Sequence, residues 1–584
     1  ICSYYLSYLL RFNFNVPDIY INVFVRSVPI LFVIRVICFH VFGLYRGVWR
    51  YASMNDLLRI LKAVTLGTVI FSAYVFFYFR VESFPRSTVI IDWFIIITFL
   101  GGSRFFYRFF REFKGASYSG GKNVLIIGAS DEGEMLLREI KKNPKMNYNP
   151  VGFIDKTKQR QGKRIHDVPV LGSLEDLKKI IGRKKIEEVI IADSTIAGKE
   201  LRNIIALCNE LNVQCKTIPA IGDILNGKIS VHHIRNINIE DLLGREHITL
   251  NMEQIRAYLS GKRVMVTGAG GSIGSELCRQ IMKIGPEKLI LFDRVENELY
   301  NIDMEFSNKY KDKTYVSLLG DVLDKKRLED VMTIYRPQVI FHAAAYKHVP
   351  ITEIHPYEAV KNNIEGTLRV IEASITHRVE KFVLISTDKA VDPVNVMGAT
   401  KRIAELICQG MNGKGFTKFI AVRFGNVLNS AGSVIPLFKK QIESGGPVTV
   451  THPEMTRYFM SIPEAVQLVM QAGAIGKGGE IFVLDMGEPV KIVDLARDMI
   501  RLMGFKQDEI EIVFTGLRPG ERITETLIGT EEEAQKTGHE KILMIKPLVF
   551  NWQEYKRRLD EFISEIDNLS DAEIKHRLFE IIKG

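Results

Sequence analysis

Arg263-Val-Met-Val-Thr-Gly-Ala-Gly-Gly-Ser-Ile-Gly274 is the stretch that decides the fold. An apolar strand runs into Gly268, Gly271, Ser272, Ile273 and Gly274, and then into a helix over 275–283. Glycines let the backbone approach a pyrophosphate, and a helix N-terminus supplies aligned N–H donors. The pattern opens a Rossmann unit. The next strand, 288–292, ends in Asp293, 19 residues after Gly274. An acid there accepts hydrogen bonds from the adenosine ribose hydroxyls, which favours NAD over NADP. Arg294 beside it is the residue that would instead suit a 2′-phosphate.

Further strand ends extend the cleft. Gly320-Asp321-Val322 suits the adenine edge, and strand 339–345 ends in the small residues Ala343, Ala344 and Ala345, which leave room for a dinucleotide. In open α/β sheets, ligands collect at such carboxyl ends. Strand 381–386 delivers Thr387-Asp388-Lys389 to the same edge. An adjacent acid and amine at a buried strand tip can donate and accept protons. His342, His348 and His452 lack the partner spacing of a metal site and read as packing or loop residues.

At 584 residues the chain is too long for one core. The formal charge of +10 is spread along the sequence without an aromatic-interleaved basic cluster, which argues against nucleic acid and suits a membrane surface. Six cysteines without a CxxC motif argue for reduced thiols rather than a disulfide framework or zinc. The first residue is Ile1, which reads as a fragment or processed chain.

Residues 23–44, 63–79 and 88–106 are apolar stretches close to the 17–25 residues that cross about 30 Å of hydrocarbon. Arg46, Arg50, Arg59 and Lys62 fill one connection, and Arg104, Arg108, Arg111 and Lys114 follow the last stretch. The positive-inside rule makes both cytoplasmic, with the turn at 80–86 outside. Residues 1–114 are thus expected to be transmembrane helices of a bacterial inner membrane, delivering the rest to the cytosol. Arg26 and Arg35 fall within the first stretch, where they need partners or an interior face.

After a Gly/Ser-rich linker at 115–121, strand and helix patterns alternate. Residues 115–250 form one α/β domain with a glycine turn from Gly128 to Gly133. That turn is a weak nucleotide signal: the domain reads as a Rossmann-like nucleotide-binding or regulatory unit, with packing and transmission the favoured role. Residues 251–584 form a second domain with a helical tail from about 550. The fold class is α/β: membrane helices, then two Rossmann-like doubly wound parallel-sheet domains.

The motifs TGAGGSIG, HAAAYKHVP, STDKAVDPVNVMGATK, RFGNVLNSAGSVIP, THPEMTRYFM and LRPGE, ordered along 262–530, resemble an extended short-chain dehydrogenase/reductase. More narrowly, they resemble the long membrane-bound UDP-N-acetylglucosamine 4,6-dehydratases, whose layout this chain also shares. One departure from the superfamily is informative: Met397 stands where Tyr-x-x-x-Lys has its tyrosine, and a thioether takes no proton. Methionine also occurs at this place in the membrane-bound dehydratases. The resemblance implies an internal redox cycle, with hydride passing from sugar C4 to NAD⁺, water leaving across C5–C6, and hydride returning to C6. It further implies that Lys389 is the base at C5, Asp388 the acid at the C6 hydroxyl, and Lys401 the partner of the nicotinamide ribose. Asp388 or a Thr387-linked relay takes the C4 proton. Lys347, Asn426, Arg457, Arg518 and Glu521 fall where family members contact substrate, with a small subdomain for the UDP-sugar, retained C5 configuration and a homo-oligomer through the catalytic domains. The alternatives are a nucleotide-sugar 4-epimerase and a non-enzymatic nucleotide-sensing scaffold.

Overall fold

A computed structural model describes residues 1–44, 54–78, 84–114, 121–143, 146–196, 198–218, 234–243, 250–310, 314–506 and 508–583. The chain forms two compact units, Ile1–Gly121 and Lys122–Gly584.

The first unit contains helices α1 (Cys2–Arg11), α2 (Asp18–Val41), α3 (Met54–Tyr78) and α4 (Ser87–Lys114). Tyr4, Tyr8, Leu31, Phe71 and Phe84 form its core. The outward faces carry Val25, Phe32, Ile37, Phe77, Ile90 and Phe94, an apolar surface that water does not solvate well. Two segments, Asp18–Val41 and Leu57–Tyr78, are long and apolar enough to cross a membrane. The third expected span is shorter as an apolar segment, Ser87–Ser103, because α4 becomes charged beyond it. Arg35 is buried and ion-paired with Asp92 of α4, and its Nη1 also donates to Ser3 Oγ at 3.3 Å. Arg26 is exposed. Arg46, Arg50, residues 79–83 and the linker at 115–120 lie outside the described residues, as do the side chains of Arg104, Arg108, Arg111 and Lys114.

The second unit holds two sheets. In the first, β1 (Lys122–Ile127), β2 (Tyr148–Ile154), β3 (Arg164–Ile165), β4 (Val168–Gly172), β5 (Glu188–Ile191), β6 (Gln214–Thr217) and β7 (Arg235–Asn236) take the order β3-β4-β2-β1-β5-β6-β7. Its central strands are parallel, and β3 and β7 add antiparallel edges.

The second sheet contains β8 (Arg263–Thr267), β9 (Lys288–Asp293), β10 (Tyr315–Leu319), β11 (Val339–His342), β12 (Lys381–Ile385), β13 (Lys418–Arg423), β14 (Ile481–Leu484), β15 (Ala534–Lys536) and β16 (Ile542–Ile545). Its order is β10-β9-β8-β11-β12-β13-β14-β16-β15. Strands β8 to β14 pair in parallel, and β16 and β15 continue antiparallel. Helices cover both faces, so the central strands read as near-continuous apolar runs such as Val264-Met-Val and Leu289-Ile-Leu-Phe. Strand order reverses between β8 and β11, and a crevice opens there.

Short strand pairs beyond β13, including Asn426–Val427 with Phe459–Met460 and Val448–Val450 with Ile512–Phe514, build a small subdomain over this crevice. Its core residues Ile435, Phe438, Ile492 and Met499 join Leu201, Ile205 and Cys208 of the first sheet's helix Gly198–Glu210 in one apolar cluster. Arg202 Nε donates to Asp498 Oδ2 at 2.6 Å across the same contact. The C-terminal helices Trp552–Glu565 and Asp571–Lys583 place Leu559, Phe562, Ile574 and Leu578 in the core of the second sheet.

A buried ionic cluster ties the site's supports together. Arg423, at the end of β13, is fully buried; its Nε and Nη2 each donate to Glu405 at 2.7 Å, and its Nη1 donates to Glu532 at 2.7 Å. Arg402 pairs with the same two carboxylates at 3.0 and 3.2 Å. Two guanidinium groups thus balance two carboxylates. The neighbouring arginines hold the Glu405 and Glu532 carboxyls below the usual range, against the opposing effect of burial. Removing one partner leaves an uncompensated buried charge, so Arg423→Met is expected to destabilise the protein by about 3–5 kcal/mol. Lys178→Met, at the exposed pair with Glu210, should change stability by less than about 1 kcal/mol. Thermal unfolding of the two variants checks the contrast.

Candidate active site

The glycine turn after β8 has physical reasons for two of its glycines. Gly268 stands at φ +66°, and a Cβ on it would lie 2.8 Å from Ala344 N and 2.9 Å from the Ala343 carbonyl carbon. A Cβ on Gly274 would strike Gly268 O, so the helix Ser272–Ile284 can approach the turn only because Gly274 has no side chain. Gly271 is the N-cap of that helix, and Ser272 and Ile273 form its first turn, which contains no acidic residue. Its N-terminal donors therefore face the crevice without a carboxylate of their own.

Beside this turn, a lobe of about 180 Å³ is lined by Asp293, Arg294, Gly320, Val322, Ala343, Ala344 and Ala345. Asp293 Oδ2 accepts from Gly270 N at 2.8 Å and its Oδ1 from Val295 N at 2.9 Å. A carboxylate offers about four lone-pair sites, so each oxygen retains acceptor capacity toward the lobe. Arg294 is held by Asp321 at 3.3 Å, hydrogen-bonds Tyr346 and lies over its ring, 4.6 Å from the centroid. Asn363, in a π-helical turn at Lys361–Glu365, fixes the Tyr346 backbone by accepting from its N–H at 2.8 Å and donating to its carbonyl at 3.0 Å.

The main cleft, about 700 Å³, runs from this turn to the small subdomain. Thr387, Lys389, Met397 and Lys401 line it, as do Lys347, Asn426, Arg457, Arg518 and Glu521. The Asp388–Ala390 turn at the tip of β12 is one 3₁₀ turn, so its neighbours point different ways. Lys389 Nζ donates to Asp388 Oδ1 at 3.0 Å and to Asn426 Oδ1 at 3.1 Å, and Thr387 Oγ1 donates to Asp388 Oδ1 at 2.9 Å. Asp388 itself does not border the cleft; its carboxylate has no exposed surface, and among the described residues its Oδ2 has no hydrogen-bond partner.

Met397 and Lys401 lie one helical turn apart on Val396–Met411, whose N-terminus is capped by Asn395 accepting from Gly398 N at 2.7 Å. Gly398 presses on Lys389 O, where a Cβ would collide. This contact seats the helix on the turn that carries Lys389. Lys401 is 5% exposed, and burial pushes its ammonium down to about 8. His342 is wholly buried, which holds it down to about 3 and therefore neutral. Thr367 Oγ1 donates its proton to Asn363 O at 2.6 Å, so it accepts from His342 Nε2 at 3.0 Å, and Thr267 donates to Nδ1 at 2.7 Å. His342 is a bridge inside the fold.

Arg457 is 7% exposed, and three of its donor contacts go to backbone carbonyls: Thr456 at 2.7 Å, Ile523 at 3.0 Å and Arg522 at 2.9 Å. Much of its fork is spent holding chain. Arg518 is exposed at the rim, and Glu521 accepts from its backbone N–H at 3.4 Å. Ser386, Glu405, Arg423 and Glu525 were not singled out from sequence. A signal existed for one of them: Met397, Lys401 and Glu405 repeat every fourth residue, placing two charges on one face of an otherwise apolar helix.

A family model described as polysaccharide biosynthesis protein matches residues 264–547, and one described as CoA-binding domain matches residues 40–219. The capsular polysaccharide biosynthesis protein CapD of Staphylococcus aureus is 45% identical over 551 residues, covering 94% of this chain and 90% of that protein. The probable polysaccharide biosynthesis protein EpsC of Bacillus subtilis is 42% identical over 547 residues, with coverage of 94% and 90%. A UDP-glucose 4-epimerase of Rickettsia rickettsii is 37% identical over 282 residues, covering 47% of this chain and 80% of that protein. Matched along nearly its whole length, the chain belongs to the polysaccharide biosynthesis proteins represented by CapD and EpsC, with a short-chain dehydrogenase/reductase fold in its C-terminal half.

Proposed function

We propose that the protein is an NAD-dependent UDP-N-acetylglucosamine 4,6-dehydratase of bacterial polysaccharide or glycoprotein sugar synthesis, forming the 4-keto-6-deoxy sugar with C5 configuration retained. The observation that carries this reading is the reacting end of the cleft, where Met397 replaces the superfamily's tyrosine and Lys389 is held facing inward by Asp388 and Asn426.

The residues present fit NAD. The Gly268–Gly274 turn and the following helix N-terminus would hold the pyrophosphate, Asp293 the adenosine ribose and Lys401 the nicotinamide ribose. A 2′-phosphate would meet Asp293 and an Arg294 already paired with Asp321, which disfavours NADP. When bound, NAD would supply the hydride acceptor for sugar C4 and the hydride donor for C6. Thr387 Oγ1, bonded to Asp388 Oδ1, takes the C4 hydroxyl proton as it passes its own to the carboxylate. The resulting C4 ketone acidifies the C5 proton, which Lys389 removes. General acid–base steps of this kind contribute about 10²–10⁴-fold each. Arg518, Lys347 and Glu521 form the nucleotide side of the cleft, Asn426 holds Lys389 where the sugar reacts, and Arg457 shapes the wall. The apolar helices of the first unit anchor the protein in the inner membrane with the catalytic unit in the cytosol, assembled as a homo-oligomer.

A 4-epimerase is the second reading, favoured by the similarity to proteins named UDP-glucose 4-epimerase. Epimerisation needs no base at C5, so it leaves Lys389 without a task. Incubating the full-length protein with UDP-N-acetylglucosamine in D₂O and following the product by proton NMR separates the two. The 4-keto-6-deoxy sugar with deuterium at C5 is expected; UDP-N-acetylgalactosamine as the sole product would rule out dehydration. Lys389→Ala should abolish turnover while NAD still binds, whereas an undiminished biological role for that variant would support a non-enzymatic scaffold.

Lys401 gives a pH prediction. Its pKa falls from 10.5 to about 8 on folding, so below pH 8 it is charged in both states, and its full burial cost, on the order of 3 kcal/mol, weighs on the folded protein. The cost shrinks as pH rises from 8 to 10.5. Ligand-free Lys401→Met should therefore melt higher than the parent at pH 7, with the difference closing toward pH 10, while its affinity for NAD falls.

A further inference from the structure

The small subdomain meets the cleft through the loop that follows the strand Asn426–Val427. Val427, Ser430, Ala431, Gly432 and Ser433 line the cleft, and Asn426 holds Lys389. Strand pairing fixes the near end of this loop: Asn426 N donates to Tyr458 O at 3.0 Å, and Leu428 N donates to Met460 O at 2.9 Å. Its far end crosses to the dinucleotide turn. Ala431 N donates to Ser272 Oγ at 3.2 Å, and Gly432, at φ +69°, lies so close to the His348 ring that a Cβ would stand 2.5 Å from Cε1. The loop thus bridges the cleft between the cofactor turn and the subdomain.

Between these ends stands Asn429, in left-handed backbone at φ +58°. Asparagine adopts that conformation more readily than most residues with a side chain, and the surroundings must hold it there. The hold comes from the first sheet. Asn429 Nδ2 donates to Glu240 Oε1 at 3.1 Å. Glu240 sits on the 3₁₀ turn Ile239–Leu243, which follows β7 and is itself locked. Arg235 forks onto Asp241 through both Nη atoms at 2.8 Å, and Asn238 N donates to the same carboxylate at 2.8 Å. Ile239 and Leu242 are buried in one apolar cluster with Leu428, the residue before Asn429. Glu240 does not border the cleft, so whatever it does there it does through the loop.

We propose that Glu240 is a positioning residue for substrate: from the first sheet it holds Asn429, and with it the loop Ser430–Ser433, in the shape that receives the nucleotide-linked sugar. This rests on the dehydratase reading above for the identity of that sugar. A loop ordered before binding loses no further freedom when the ligand arrives, so the pair contributes to affinity without touching the ligand. The first sheet thereby takes part in substrate binding.

The test uses the whole chain loaded with NAD, UDP as the probe in a calorimetric titration, and UDP-N-acetylglucosamine in turnover. Glu240→Ala should weaken UDP binding and raise KM about ten-fold, the scale of one hydrogen bond to a charged group. Its kcat, NAD affinity and melting temperature should stay with the parent, which also shows that the variant is folded. Glu240→Gln keeps an acceptor oxygen and should recover most of the loss. Asn429→Gly keeps the backbone conformation without the amide and should match Glu240→Ala, and the double variant should be no weaker than either single, because the two share one interaction. Parent-like UDP affinity in Glu240→Ala, no recovery in Glu240→Gln, or losses that add in the double variant would each overturn the assignment and leave the dehydratase intact. Absence of the 4-keto-6-deoxy product from the parent would overturn the dehydratase reading, while the UDP titration would still decide the role of Glu240.

Discussion

The site depends on one buried carboxylate. Glu405 receives Arg423 from the end of β13, Arg402 from its own helix and Ser386 Oγ, 2.6 Å away, from the residue after β12. The second acid of the cluster, Glu532, receives Gly529 N at 2.9 Å and so fixes the segment just beyond Glu525. Four pieces of chain that border the Lys389 end of the cleft thus meet at a single charge cluster. Taken out of water, such ions attract strongly only in the right geometry and become costly otherwise. The energy therefore acts as a constraint on register: a shift of the Lys401 helix relative to the Lys389 turn would unpair charge in the core. Gly398 applies the same constraint sterically, since any side chain there would separate the two elements.

Sequence reading works where the physics is local. The turn at Gly268–Gly274, the acid ending β9 and the small residues after β11 were legible because backbone approach and strand ends leave their mark within a few residues. The Thr387-Asp388-Lys389 run was legible as a strand tip, but not which of its side chains faces the cleft, since a single 3₁₀ turn sends neighbours to opposite environments. Arg457 fell where family members contact substrate, and nothing in its sequence neighbourhood reveals that carbonyls 65 and 66 residues later take its protons. Glu525 was invisible for the same reason. The N-terminal apolar stretches were readable by length, whereas the partner of Arg35 was not, because Asp92 lies 57 residues away on another helix.

The two sheets begin alike and then diverge in electrostatics. Gly128 has φ +106°, Gly133 packs on Gly128 O, and Asp155 Oδ2 accepts from Ala129 N at 2.8 Å, much as Asp293 accepts from Gly270 N. The helix that follows Gly128, however, places Asp131, Glu132 and Glu134 in its first turn. Glu132 reaches across to Ser194, accepting from its N–H and its hydroxyl at 2.8 Å each. The first turn of that helix thus carries carboxylates whose bonds run to Ser194 and Arg138. The helix after Gly268 has no acid in its first turn. The same backbone architecture therefore carries three acids in the first helical turn in one sheet and none in the other.

Two buried arginines that enter apolar surroundings are each met by carboxylates. Arg35 enters an apolar helix unit against Asp92, and Arg423 enters the sheet core against Glu405 and Glu532. Where a buried ionisable group lacks a close opposite charge, as with Lys401, its equilibrium moves toward the neutral form instead. Lys401 lines the cleft. Its unpaired state would be a liability in a core that served only stability, because pairing or an apolar substitute relieves it. The contrast between the satisfied charges of the supports and the unsatisfied ammonium of the cleft is thus a physical distinction between the two regions.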